Sequence, residues 1–122
     1  MDPINVFEYE ALAATRVDPV HWDYYRSGAD DELTLRANCE AFGRIRLRPR
    51  MLVDVSHVDM GTTVLGTPVS MPILVAPTAY HCLACHDGEC ATAQAAGAAN
   101  TLMVASTLAT RSLEDIAAAA AG

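Results

Sequence analysis

Lysine is absent from the 122 residues, so all fixed basic charge comes from arginine. Eight basic residues face fifteen acidic ones, giving a formal charge of −7 and a pI near 4.8. Nucleic-acid binding through counterion release needs clustered positive charge, and this balance excludes such a partner. The one basic cluster is Arg46, Arg48 and Arg50. It reads as solvated charge ahead of a strand, with a small anion site as the alternative. Long apolar runs are also missing. Met71–Val75 and Ala117–Ala121 are the longest, far short of the roughly 20 residues that cross a bilayer. No basic segment with an apolar stretch behind it opens the chain, since Met1-Asp2-Pro3 begins on an acid. No organelle address closes it. These absences predict a soluble intracellular chain, cytoplasmic or, in a eukaryote, peroxisomal. Cysteine is present at positions 39, 82, 85 and 90. Without an export signal Cys39, Cys82, Cys85 and Cys90 are read as reduced thiols.

What is present is enough for a core. Hydrophobic residues make up 52% and charged residues 19%, which argues against disorder. The length suits one domain. Val6–Thr15 has helical spacing, with Asn5 as cap and Glu8 three residues later. Asp18-Pro19 predicts a cap and first helical position for a helix over Pro19–Arg26, and Gly28 supplies a stop. A third helix is expected over Asp30–Phe42. Thr62–Ser70, with Gly66 at its centre, reads as a small hairpin.

The last third changes rhythm. Pro72–Ala76 and Thr101–Ala105 are continuously apolar, as strands buried on both faces are. After the first come a loop at Pro77–His86 and a helix capped by Asp87 and running to Ala99. After the second, Ser112 and Asp115 predict a capped helix entering the alanine run. Strand, loop, helix, twice over, is parallel β/α construction. Two parallel strands leave both edges open and one face uncovered. The chain is therefore expected to be incomplete, or to be finished by another chain.

Several motifs carry a family resemblance. They are Asp23-Tyr24-Tyr25-Arg26-Ser27-Gly28-Ala29-Asp30-Asp31-Glu32, Thr34-Leu35 with Asn38, Arg48-Pro49-Arg50 and Leu52-Val53-Asp54-Val55-Ser56. Leu65-Gly66, Met71-Pro72-Ile73, Ala76-Pro77-Thr78-Ala79, Asp87-Gly88-Glu89 and Ala105-Ser106 follow in order. Together they resemble the FMN-dependent α-hydroxy-acid oxidases and dehydrogenases, glycolate oxidases above all. The resemblance implies an α/β fold: an N-terminal helical cap followed by about two of the eight units of a TIM barrel. Residues 1–61 would be cap and connector, 62–70 the hairpin, and 71–122 the start of the barrel.

It also implies roles. Pro77, Thr78 and Ala79 would lie against the flavin ring of FMN, where small side chains let the backbone approach. Ser106 would hydrogen-bond the ring's polar edge. Without the resemblance, Thr78 and Ser106 are ordinary loop hydroxyls. Tyr24 matches the tyrosine that binds the substrate carboxylate, whereas periodicity alone makes it a core residue. Tyr25 is read as structural. Leu108 stands where glycolate oxidases tend to have an aromatic side chain, and its smaller size would admit acids longer than glycolate. The family oxidises a 2-hydroxy acid to the 2-oxo acid with a histidine base, an arginine clamp and a lysine near the flavin. None of these three can be assigned here, and His21, His57, His81 and His86 do not match the base. The chain alone is expected not to turn over. Partners would be the small 2-hydroxy acid and the remaining barrel portion, with homo-oligomers common among full-length relatives.

Tyr80–His86 departs most from the family and creates Cys82-Leu83-Ala84-Cys85-His86. Covalent haem attachment and a zinc set of Cys82, Cys85, His86 and Cys90 are the alternatives to a loop of reduced thiols. A non-catalytic truncated paralogue or gene fragment is the alternative to an enzyme part.

Overall fold

In the computed structural model, which describes residues 2–120, the chain forms two compact units. One is Met1–Thr15 with Pro19–Val58, the other Arg16–Asp18 with Asp59–Gly122.

The first unit holds three helices. Helix α1 spans Val6–Ala13. The Asn5 carboxamide accepts the Glu8 N–H at 3.0 Å, and the Glu8 carboxylate reaches back to the Ile4 N–H at 3.0 Å. The Asn5 cap is the predicted one, while the return bond from Glu8 falls on Ile4, one residue before the cap. Helix α2 spans Pro19–Arg26, the predicted bounds. The Ser27 N–H and hydroxyl both donate to the Asp23 carbonyl, closing its last turn. Helix α3 spans Leu33–Arg44, starting three residues later than expected. Asp30 and Glu32 have φ of 47° and 57°, and the Glu32 N–H closes a turn on Ala29 O at 2.9 Å. Left-handed residues interrupt an α-helix, so α3 cannot begin before Leu33. Arg46, Arg48 and Arg50 are exposed on irregular backbone, and the strand expected after them does not form.

The second unit opens with the predicted hairpin. Strands β1 (Thr62–Val64) and β2 (Thr67–Val69) pair antiparallel, Thr62 opposite Val69 and Val64 opposite Thr67. Leu65 and Gly66 take φ of 50° and 85°, the two positive values a tight hairpin turn requires. The Ser70 N–H and hydroxyl then donate to Asn100 O and Ala99 O at 2.8 and 2.7 Å.

Pro72–Ala76 and Thr101–Ala105 do run parallel, but they meet in one bridge, Val75 with Met103, and not in full strands. Its bonds are Val75 N–H to Leu102 O at 2.9 Å and Val104 N–H to Val75 O at 3.0 Å. Nor are these segments buried on both faces: Ile73 is 66% exposed and Val104 47%. Within this unit two α-helices follow the bridged segments, α4 (Gly88–Ala98) and α5 (Leu113–Ala120). The core is correspondingly small, with Val69, Ala93, Ala96 and Ile116 its buried apolar side chains.

Helix α4 starts as predicted by position but not by mechanism. The Asp87 side chain makes no cap bond, its backbone is already helical, and Gly88 has φ of 53°. At the other end Asn100, with φ of 50°, donates to Gly97 O and Thr101 donates to Ala96 O. This is the paired C-terminal closure in which a left-handed residue satisfies the last carbonyls. Helix α5 carries the expected cap, Asp115 N–H to Ser112 Oγ at 3.1 Å. The end of the predicted alanine run, Ala121, lies outside the described residues. The segment Pro77–His86, expected to be irregular, contains a 3₁₀ turn at His81–Leu83, entered through Tyr80 at φ 59°.

Candidate functional site

Two loops leave the carboxyl ends of the bridged segments, Pro77–Tyr80 after Val75 and Ser106–Thr110 after Met103. The Tyr80 N–H donates to Leu108 O at 3.1 Å, which holds the loops side by side. Ser106 Oγ accepts the Leu108 N–H at 3.1 Å, and Ser106 O accepts the Ala109 N–H at 3.2 Å. The second loop is thus a tight turn built on Ser106. Because its oxygen acts there as acceptor, the Ser106 hydroxyl keeps its proton to donate elsewhere. Pro77 and Thr78 are exposed and Ala79 is partly so, with Thr78 Oγ1 only loosely held by Ala76 O at 3.4 Å. Small side chains on exposed backbone beside a free hydroxyl donor fit a flat heteroaromatic group with acceptor atoms at its edge. The loop carrying Thr78 and Ala79 is thus tied through Tyr80 to the loop carrying Ser106 and Leu108. Leu108 is 51% exposed there.

Beneath the loops lies a group that sequence reading passed over. Glu89 has no exposed surface. Its Oε1 accepts the Thr110 N–H at 2.8 Å and the His81 N–H at 3.2 Å, and its Oε2 accepts the Thr110 hydroxyl at 2.7 Å. The Cys82 N–H donates in turn to Thr110 Oγ1 at 3.1 Å. One carboxylate therefore ties both loops to the first turn of α4. Burial pushes the Glu89 carboxyl up, but bonds from the Thr110 backbone and hydroxyl, its own backbone and His81 outweigh this and hold it at about 2. By local rules alone, a glutamate two residues after a predicted N-cap is an acid favouring a helix N-terminus. The signal that could have found it is its place in Asp87-Gly88-Glu89, one of the motifs already noted. His81 is a packing residue, its Nδ1 3.1 Å from Thr92 Oγ1.

Tyr24 stands on α2 in the first unit, 52% exposed, its ring edge-to-face with Tyr25 at 5.5 Å. Among the described residues no three His, Cys, Asp or Glu side chains are grouped to hold a metal ion. All four cysteines are free. No helix among the described residues is long and apolar enough to cross a membrane.

Known proteins resemble this chain in sequence and in fold. The sequence profile of a family described as FMN-dependent dehydrogenase matches residues 13–122. The chain is 57% identical over 115 residues to an L-lactate oxidase of Nostoc sp., covering 94% of this chain and 32% of that protein. It is 55% identical over 118 residues to a glycolate oxidase of Zea mays, covering 97% and 32%. The fold superposes on a soluble mutant of the membrane-associated (S)-mandelate dehydrogenase from Pseudomonas putida with a TM-score of 0.89. There the identity is 37%, with 96% of this chain and 34% of that one covered. The chain spans about a third of the length of the curated relatives it matches.

Proposed function

Because this chain belongs to the FMN-dependent dehydrogenase family, we propose that it supplies the first part of a flavin and substrate site for oxidising a small (S)-2-hydroxy acid to the 2-oxo acid. The observation that carries this reading is the Tyr80–Leu108 hydrogen bond, which sets the loops of two parallel segments edge to edge. Sites of β/α barrels are built from such loops at the carboxyl ends of strands.

Pro77, Thr78 and Ala79 would hold one face of the flavin ring, and the Ser106 hydroxyl would donate to its polar edge. Bound FMN supplies an acceptor for the two electrons leaving the hydroxy acid. Tyr24 would donate its phenol proton to the substrate carboxylate, fixing the acid's orientation without adding charge. The general base and a cation near the flavin belong to the remaining barrel, so residues 1–122 bind and orient but do not abstract the proton. In this division 1–61 is cap and connector, 62–70 hairpin and 71–122 the opening of the barrel.

The test is a chimera: this chain joined to the remaining two thirds of the Nostoc relative. It should purify yellow and oxidise 2-hydroxy acids. Tyr24→Phe should retain flavin and raise KM by roughly 10- to 100-fold, the cost of one hydrogen bond to a charged group. A folded chimera without flavin would reject the reading. Leu108→Trp in the same chimera should shift relative kcat/KM toward the shortest acids. Unchanged ratios would remove Leu108 from the pocket wall.

A further inference from the structure

We propose that Cys82 and Cys85 form a peroxide-sensitive dithiol, a modification site in which the two thiols close to a disulfide within their own loop. The 3₁₀ turn at His81–Leu83 continues through Ala84 in helical conformation. The N–H groups of Ala84 and Cys85 both donate to His81 O at 3.0 Å. Side chains three residues apart in such a turn lie one above the other. Their Cα atoms are then about 5–6 Å apart, within the span a disulfide needs.

The loop is held from outside, so little backbone order is lost on closing it. Cys82 N–H is bonded to Thr110 Oγ1 and Gly88 N–H to Cys85 O at 3.0 Å. His86 O accepts from Arg111 Nη2 at 2.6 Å. The two thiols are not equivalent. Cys85 is exposed, whereas Cys82 is partly buried with its sulfur 3.6 Å from His86 O. That sulfur fills the space over Gly88, where an added Cβ would come within 2.5 Å of it. Cys85 is therefore the attacking thiol and Cys82 the resolving one. The Cys85 thiolate attacks hydrogen peroxide, breaking the O–O bond to give a sulfenic acid and, after protonation, one water. The Cys82 thiol displaces the sulfenic hydroxyl as a second water, and the S–S bond forms. Peroxide gains two electrons and the dithiol loses two. Of the remaining cysteines, Cys39 is on α3 in the first unit and Cys90 is in the first turn of α4.

This inference does not rest on flavin binding, because its readout is the state of the thiols. The full chain is exposed to hydrogen peroxide, alkylated, digested without reduction and weighed. The expected product is a peptide containing both Cys82 and Cys85, lighter by two hydrogens and restored by dithiothreitol. Cys82→Ser should leave a dimedone-reactive sulfenic acid at Cys85, while Cys39→Ser and Cys90→Ser should leave the bridge intact. Linkage to Cys39, to Cys90 or to a second chain would overturn the proposal, as would sulfinic acid without a bridge. Closure should also be slower in urea, and equal rates would contradict a turn set by the fold. Phenylarsine oxide, which needs two adjacent thiols, should bind the reduced chain at one equivalent; absence of binding would sink the pairing independently of any variant.

Discussion

Glu89 shows how a single buried charge can organise a site it does not enter. Its two oxygens take three donors from two loops, and such charge-assisted bonds are worth more than neutral ones because water no longer competes. Its folded pKa of about 2 lies below the ordinary 4.5. The stabilisation is therefore complete above the ordinary value and is lost as pH falls through the folded one. Urea stability should be flat above about pH 5 and decline between there and pH 2. Glu89→Gln keeps an acceptor for both N–H groups, so it should cost only about 1 kcal/mol at neutral pH and flatten the acid decline. Glu89→Ala strands the Thr110 and His81 N–H groups and should cost on the order of 3 kcal/mol. An unaltered acid profile in the Gln variant would show that other carboxylates set it.

At the scale of elements, the junction into α4 is the most constrained point. Gly88 combines φ of 53° with the sulfur of Cys82 lying where a Cβ would go. Gly88→Ala should therefore lose about 1 kcal/mol to backbone strain and more to the clash. Adding Cys82→Ala should recover the clash but not the strain. A double-mutant cycle showing no coupling would mean the sulfur moves freely aside. Ser112→Ala should cost about 1 kcal/mol through the lost cap on α5, read as a lower urea midpoint. These junctions also mark how far the sequence could be read. Asn5, Pro19, Gly66 and Ser112 act locally, so α1, α2, the hairpin and α5 were legible from them. Asp30, Glu32 and Tyr80 adopt left-handed backbone without being glycine. Residue type does not announce that choice: the turn before α3 is tied by Glu32 N–H to Ala29 O and Gly28 N–H to Glu32 Oε1, so the start of α3 and the 3₁₀ turn were not legible. Glu89 looked like a first-turn acid because burial by Thr110, twenty-one residues later, leaves no local mark. The loops bearing Thr78 and Ser106 were found in sequence by family motif, since nothing local sets their hydroxyls apart from others.

For the molecule as a whole, surface area is the telling quantity. A compact 13.0 kDa monomer exposes about 6,300 Å², and two separate half-size globules about 7,700 Å². This chain exposes 10081 Å². The excess includes large apolar side chains on the bridged segments, Ile73 and Val104 among them. Continuous apolar runs such as Pro72–Ala76 belong to strands covered on both sides, yet the described residues leave Ile73 two-thirds bare. The sequence pattern and the observed exposure are reconciled if further β/α units cover these segments. Ile73→Asp separates the two situations. In the 122-residue chain an exposed position should tolerate it within about 0.5 kcal/mol, and aggregation should fall. In the chimera with the remaining barrel, the same aspartate would be buried without a partner and should cost about 3 kcal/mol or more. Parallel urea titrations of the two proteins decide the matter. Equal tolerance in both would mean that no sheet closes over Ile73, and the barrel reading of residues 71–122 would have to be given up.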